Sequence, residues 1–361
     1  MARIDLDNLA HSYLAAPAGE EDYALRPMNH VWEDGGAYAL LGPSGCGKST
    51  LLNIISGLVQ PSEGRVLFDG RDVTALQPEY RNIAQVFQFP VIYDTMTVRQ
   101  NLAFPLRNRG LDETRVQRRV AEVAGMLGLT RVLDHKALNM GADAKQTISM
   151  GRGLVREDVA AVLFDEPLTV IDPHLKWQLR RKLKEIHEQL RLTLVYVTHD
   201  QTEALTFADK VVVMYDGRVV QLGTPQELFE RPEHTFVGYF IGSPGMNFLD
   251  CTLDGERAVV DGEAIALDPE VARKATAAGG RLQIGIRPEF LRFAAVDEPG
   301  VPAAVERVDD LGNFQIATVV MGANHRIYMK LDEDQRVPGE QPKLFFPPEW
   351  TKIYSSDRLV A

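Results

Sequence analysis

Cysteine is scarce. The 361 residues contain two, Cys46 and Cys251, too few for a disulfide framework and in keeping with a reducing compartment. No apolar run approaches the ~20 residues that a membrane-spanning helix requires. The opening stretch MARIDLDNLA lacks the apolar core of a signal peptide, so any role at a membrane is expected to run through a partner. Excess positive charge is missing as well. The formal net charge is -11, which argues against a broad nucleic-acid footprint, because such surfaces neutralise many phosphates with lysine and arginine. Low-complexity tracts and repeat arrays are absent. What remains, 45% hydrophobic and 25% charged residues, is the balance of an ordinary globular protein, and the length favours about two domains.

The first two-thirds alternate strand and helix patterns. YALLG, from Tyr38 to Gly42, reads as a short buried strand, and STLLNIISGLV, from Ser49, as a helix ending near Gly57. Asp69-Gly70 is a hairpin signal. Asp112 is a plausible N-cap for a helix with Val116, Val120, Val123 and Leu127 on one face. Three more apolar runs, Ala160 to Phe164, Thr193 to Val197 and Val211 to Tyr215, read as buried parallel strands. Between them lie helical stretches from Pro173 to Leu190 and from Gln201 to Phe207. The alternation predicts a parallel, doubly wound α/β sheet. After about Phe240 the texture changes: IGSPGMN is a Gly/Pro-rich linker, and RLQIGIRPEF, FQIATVVM and HRIYMK predict a small all-β, barrel-like domain. The expected domains are therefore 1–237 and 238–361.

GPSGCGKST, which comprises Gly42, Pro43, Ser44, Gly45, Cys46, Gly47, Lys48, Ser49 and Thr50, contains G-x-x-x-x-G-K-S between a predicted strand and a predicted helix. That is the context a P-loop requires. Its glycines let backbone N–H groups wrap phosphates, and the helix N-terminus adds a favourable dipole. Lys48 is expected to reach the β- and γ-phosphates and Ser49 to hold magnesium; Cys46 reads as a small spacer. The bare pattern arises by chance in about one chain per hundred of this size, and the flanking elements make a plain Gly-rich turn a poor reading. AAVLFDE ends in Asp165, placed to bind the metal from the opposite side, and Glu166, placed to polarise an attacking water. His199, in VTHD, follows another buried strand, where ligands of α/β sheets gather. Gln88, in VFQFP, follows an apolar run and carries no signal alone.

The order of these motifs resembles the ATP-binding subunits of ABC transporters over essentially the full chain. The resemblance implies a P-loop ATPase domain, with a mostly parallel sheet, a helical subdomain and an antiparallel β-subdomain, that hydrolyses ATP with Mg2+. It matches Gly42 to Ser49 to Walker A, Asp165 and Glu166 to Walker B and the catalytic glutamate, Gln88 to the Q-loop glutamine at the metal and catalytic centre, TVID ending at Asp172 to the D-loop, and His199 to the switch histidine. Tyr13, in HSYL, resembles the aromatic that stacks on adenine, with Tyr23 as the weaker candidate across an Ala/Gly-rich insertion. GTPQELFERPEHTFVGYFIGSPGMNF and IGIRPE resemble the linker and OB-like accessory domain of the carbohydrate-importer branch, of the maltose and glycerol-phosphate types. The implied partners are a second ATPase subunit, two transmembrane permease subunits and a periplasmic or extracellular substrate-binding protein, at the cytoplasmic face of the membrane, with no nucleic acid. Gln88 and the apolar segment from Phe89 to Met96 are expected to face a permease helix.

One motif departs from the family. An LSGGQ signature, which reaches across the dimer to the partner's γ-phosphate, falls without gaps on Met140, Gly141, Ala142, Asp143 and Ala144. Serine and both glycines are missing, and a register shifted by two residues is no better. A carboxylate ~5 Å from a phosphate charge, at an effective dielectric of ~20, is repelled by roughly 3 kcal/mol. Unless the loop is rebuilt with Asp143 turned to solvent or onto a cation, the chain is expected to keep what hydrolyses ATP in cis, to lack what it should offer in trans, and to work as a heterodimer with an intact-signature sibling. In this the chain resembles the bacterial glycerol-uptake systems that pair two different ATPases. The alternatives are a nucleotide-binding regulatory subunit with little hydrolysis, which would tolerate loss of Glu166 and His199, and a non-transport ABC ATPase, which usually carries two cassettes or long coiled-coil insertions.

Overall fold

The computed structural model describes residues 1–360 except 296, 324, 336 and 340. It forms two compact units, Met1–Pro225 and Gln226–Ala361. The first contains β1 (Ile4–His11), β2 (Leu25–Trp32), β3 (Ala37–Leu41), α1 (Lys48–Ser56), β4 (Glu63–Phe68), β5 (Arg71–Asp72), β6 (Ile83–Val86), α2 (Val98–Arg107), α3 (Glu113–Leu127), α4 (Ala142–Leu154), β7 (Ala161–Asp165), α5 (Pro173–Leu190), β8 (Leu194–Thr198), α6 (Gln201–Phe207), β9 (Lys210–Tyr215) and β10 (Arg218–Gly223).

Strands β3 and β8 are buried along their whole length, as their unbroken apolar runs require of central strands covered on both faces. The main sheet has the order β10-β9-β3-β8-β7-β6. Its strands run parallel from β9 to β6, and β10 returns antiparallel on β9. A separate antiparallel sheet has the order β2-β1-β4-β5. Its β4–β5 turn holds Asp69 at φ 50° and Gly70 at φ 78°, the left-handed pair that a two-residue hairpin demands. Helices α2 and α3 pack on α4, and α4 packs on β6. The Asp112 carboxylate accepts from Arg115 N at 2.9 Å and so caps α3, whose Val116, Val120, Val123 and Leu127 are all buried.

The second unit follows α7 (Pro225–Glu230) and α8 (Thr235–Phe240) with β11 (Asn247–Asp254), β12 (Arg257–Val260), β13 (Glu263–Ala266), α9 (Pro269–Ala278), β14 (Leu282–Ile286), β15 (Arg292–Phe293), β16 (Val301–Asp310), β17 (Phe314–Met321), β18 (His325–Asp332), β19 (Lys343–Phe345), β20 (Lys352–Ser355) and β21 (Arg358–Leu359). Two antiparallel sheets, β13-β12-β11-β14-β20-β21 and β15-β19-β16-β17-β18, share one core that includes Ile284, Val319, Ile327 and Leu344. Helix α9 is an addition to the all-β expectation. Asp268 caps it by accepting from Glu270 N and Val271 N, but its buried face is only Ala272 and Ala275, too small to print a hydrophobic period.

The units divide at 225/226, ahead of the 237/238 boundary expected from the sequence. Arg287, 1% exposed, donates through its guanidinium to the carbonyls of Leu228, Phe229 and Ile241, and Tyr354 donates to Pro232 O; these bonds fasten the α7–α8 segment to the β-unit.

Candidate nucleotide-binding and catalytic site

Register brings the site together. In the main sheet Leu41 lies opposite Thr198, Val197 opposite Asp165, and Phe164 opposite Val86. The loops after β3, β6, β7 and β8 therefore leave one edge of one sheet, and they carry the P-loop, Gln88, Glu166 and His199. This is the carboxyl edge at which open α/β sheets bind ligands.

The P-loop turns through Gly47, at φ 98°, into the first turn of α1. A Cβ at Gly47 would stand 2.5 Å from Ala24 O, and one at Gly42 would stand 2.2 Å from Met214 O, so neither position accepts a side chain. Lys48 is buried, and its ammonium donates to the Gly42 and Pro43 carbonyls, both at 2.9 Å. Ser44, Gly45 and Ser49 remain exposed, open to an incoming phosphate. Cys46 is buried, and burial pushes its thiol up, away from the reactive thiolate. The far end of α1 is held by Arg81, whose guanidinium donates to Ile54 O at 2.7 Å and Ile55 O at 3.0 Å.

Ser49 Oγ lies 3.5 Å from Asp165 Oδ1, so a hydroxyl and a carboxylate face each other as hard oxygen donors. Burial, followed by the neighbouring Glu166, raises the Asp165 pKa. A divalent cation would offset that charge, so the donor set suits Mg2+. Because the folded pKa lies above the unfolded one, native Asp165 binds its proton more readily, and its contribution to stability falls as pH rises from about 4 through the raised value. Asp165→Asn is accordingly expected to raise the Tm of nucleotide-free protein at pH 7, with the difference from wild type vanishing below about pH 3.5. Paired melts across pH check this; a gap that is constant with pH would contradict it.

Glu166 is in the left-handed region at φ 47°, a strained setting for a residue other than glycine and one found at functional sites. Its backbone N–H donates to Val197 O at 3.0 Å. Its Oε2 accepts from Thr169 Oγ1 at 3.2 Å, and its Oε1 lies 3.1 Å from His199 Nδ1. The pair is open to the edge, with the His199 side chain 56% and the Glu166 side chain 24% exposed.

Tyr13 reaches this neighbourhood: its hydroxyl lies 3.1 Å from Thr50 Oγ1, its ring meets His11 edge-on at 4.6 Å, and the side chain is otherwise exposed. Tyr23 is directed elsewhere and donates to Glu63 at 2.7 Å. Gln88 is half-buried just past β6. Helix α4 supports the loop around it, since Gln146 Nε2 donates to Phe87 O at 3.0 Å and Arg152 donates to Val91 O at 2.8 Å. Sequence reasoning passed over Thr169, Gln146 and Glu203. The buried Glu203 carboxylate accepts from Tyr196 and Thr198, both at 2.9 Å, and braces the strand end that presents His199. Only contact geometry distinguishes these residues from ordinary loop or helix polar groups.

Met140 to Ala144 straddle the start of α4, with Gly141 as its N-cap. Gly141 and Ala142 are exposed and Asp143 is half-buried. Asp143 Oδ1 accepts from Asp172 N at 3.2 Å. Lys145 is committed to Asp94, 2.8 Å away.

Comparison with known proteins accords with this geometry. Residues 25–169 match the ABC transporter family, and residues 242–291 match the MalK OB fold domain. The sn-glycerol-3-phosphate import ATP-binding protein of Chromobacterium violaceum is 40% identical over 315 residues, covering 86% of this chain and 83% of that protein. The trehalose import ATP-binding protein of Mycobacterium tuberculosis is 39% identical over 355 residues, covering 94% and 87%. The structure of cbiO1 from Clostridium perfringens, part of an ABC transporter complex, superposes with a TM-score of 0.58 at 28% identity, covering 63% of this chain and 90% of that one. A P-loop, an acidic strand end and a histidine on one sheet edge, followed by an OB-fold β-unit, thus coincide with extended likeness to import ATPases, and the chain belongs to the ATP-hydrolysing, ATP-binding subunits of ABC transporters, in the carbohydrate-importer branch.

Proposed function

We propose that this chain is the catalytic half of a heterodimeric ATPase that energises a bacterial importer of a sugar, polyol or glycerol-like solute. The observation that carries the reading is an asymmetry: the candidate cis groups leave one edge of the main sheet, whereas Met140 to Ala144 carry no serine and set a carboxylate in the first turn of α4. In this reading Tyr13 stacks on the adenine, Gly42 to Thr50 wrap the phosphates, and Lys48 leaves the Gly42 and Pro43 carbonyls for the β- and γ-phosphate oxygens. Ser49, Asp165 and Gln88 would hold Mg2+, which would neutralise charge on the phosphates. Glu166 orients the attacking water and takes up its proton, and His199 steadies Glu166 and donates toward the γ-phosphate.

No helix among the described residues is long and apolar enough to cross a membrane; in this reading the chain attaches at the cytoplasmic face through permease subunits, as its likeness to import ATP-binding proteins suggests. Phe87, Phe89, Val91 and Tyr93 expose their side chains on a loop whose backbone is pinned by Ser149, Arg152 and Asn101. An ordered backbone with outward aromatic groups suits a permease helix docking beside Gln88. Domain 238–361 takes the accessory role of the OB-fold unit, and solute choice lies with the other subunits.

The test is ATP turnover by the purified chain against its own concentration, with Glu166→Gln as blank. Silence alone, relieved by a co-expressed ATPase that carries LSGGQ, is the expected result. A rate per subunit that climbs with concentration would show that homodimers work and would end the half-enzyme reading.

A further inference from the structure

The segment from Glu166 to Asp172 joins the carboxylate beside His199 to the start of α5, and it is built from short local turns, with Thr169 N donating to Glu166 O at 3.2 Å and Ile171 N to Leu168 O at 3.1 Å. Its far end is anchored to α5, because the Asp172 side chain accepts from His174 N at 2.9 Å. Its near end is Glu166 itself, in left-handed backbone and braced by Thr169. A tie from another element reaches this segment from Asp143, whose carboxylate accepts the Asp172 N–H. Asp143 is itself fixed in the first turn of α4, where Thr147 Oγ1 donates to its carbonyl at 2.8 Å. Asp143, the residue proposed above to deny a partner its phosphate contact, is therefore bonded to the segment that carries this chain's own Glu166.

We propose that Asp143 is a positioning residue for the ATPase site of its own chain: by accepting the Asp172 N–H it couples the start of α4 to the segment that aims Glu166. The inference rests on the assignment of water activation to Glu166, but not on the heterodimer. It requires an acceptor oxygen at position 143 and not a charge, which separates it from repulsion of a partner's phosphate. Without the tie, the segment keeps its local turns, the α5 anchor and, at its near end, the contacts of Glu166 with Val197 O and His199, while its Asp172 end loses its link to α4. A base displaced by an ångström loses rate steeply, by as much as about 10²-fold, while the P-loop contacts that hold nucleotide stay unchanged.

The experiment compares Asp143→Ala with Asp143→Asn in whichever assembly turns ATP over: the chain alone, or the chain with a co-expressed LSGGQ partner whose own catalytic glutamate is changed to glutamine. Asp143→Ala is expected to lower kcat at least about fivefold with KM for ATP within about twofold, and Asp143→Asn, whose amide oxygen still accepts, to restore it. In the full-length Glu166→Gln chain with ATP, amide exchange at Asp172 should quicken in the alanine variant and not in the asparagine variant. Equal kcat in the two variants, an alanine variant that matches or exceeds wild type, a change confined to KM, or unaltered exchange at Asp172 each overturns the proposal. Failure of the underlying assignment is separately visible, as turnover that survives Glu166→Gln.

Discussion

Glu166→Gln is expected to lower ATP turnover at pH 7 by about 10²- to 10⁴-fold, the range for removal of a positioned general base, and to leave nucleotide affinity within a few-fold of wild type. The substitution is close to isosteric and keeps the left-handed backbone at φ 47°. A glutamine oxygen can still accept from Thr169, but the amide cannot take up a proton from water, and its NH2 faces the position of His199 Nδ1 across 3.1 Å. Lys48 and the P-loop glycines are untouched, so binding and chemistry separate. Phosphate release under saturating ATP, together with titration of a fluorescent nucleotide, measures the two. A variant that keeps a tenth or more of the turnover would remove Glu166 from the role of base and leave His199 as the group to examine.

Lys48→Ala is the second large effect, and it acts on binding. The ammonium of Lys48 is buried and satisfied by two backbone carbonyls, each at 2.9 Å. In the proposed nucleotide complex it exchanges them for phosphate oxygens. Charge-assisted hydrogen bonds contribute about 1.5–3 kcal/mol each, so loss of one predicts an ATP Kd raised by about 10- to 10²-fold, and loss of two by about 10²-fold or more. The same substitution has a cost without nucleotide: the Gly42 and Pro43 carbonyls lose their donor in a half-closed loop, which lowers stability by about 1–3 kcal/mol. Equilibrium nucleotide titration and denaturant unfolding of the same sample test both halves. An unchanged Kd would mean that the loop holds phosphate through its backbone N–H groups alone.

Much of this was legible because local signals and tertiary demands agree. The spans of α5 and α6 follow directly from Pro173 and Gln201 as first helical residues behind Asp172 and Asp200, which both act as caps. The P-loop was legible because glycine is required where the backbone turns left-handed or approaches another strand, as at Gly47 and Gly42. The missing parts depend on pairings between distant segments. Nothing in the spacing of Tyr13 and Tyr23 tells which of them reaches Thr50. Glu203 reads as a helix surface residue until β8 is placed beside it. Helix α2 carries Pro105 inside it, which hides its period, and α9 buries only alanines. The tie between Asp143 and Asp172 spans 29 positions and involves a backbone donor, which no side-chain pattern reports.

The shared sheet edge also governs where this protein tolerates added residues. Side chains alternate along a strand, so one extra residue inside β3, β7 or β8 would turn every later side chain to the opposite face and carry the P-loop, Asp165 or His199 out of line with its neighbours. Lengthening is harmless only where no strand register lies downstream of it within the same element. The stretch from Leu14 to Gly19, mostly exposed and outside both sheets, is such a place, and it is where the Ala/Gly-rich insertion occurs. Loop grafts and reporter tags belong there.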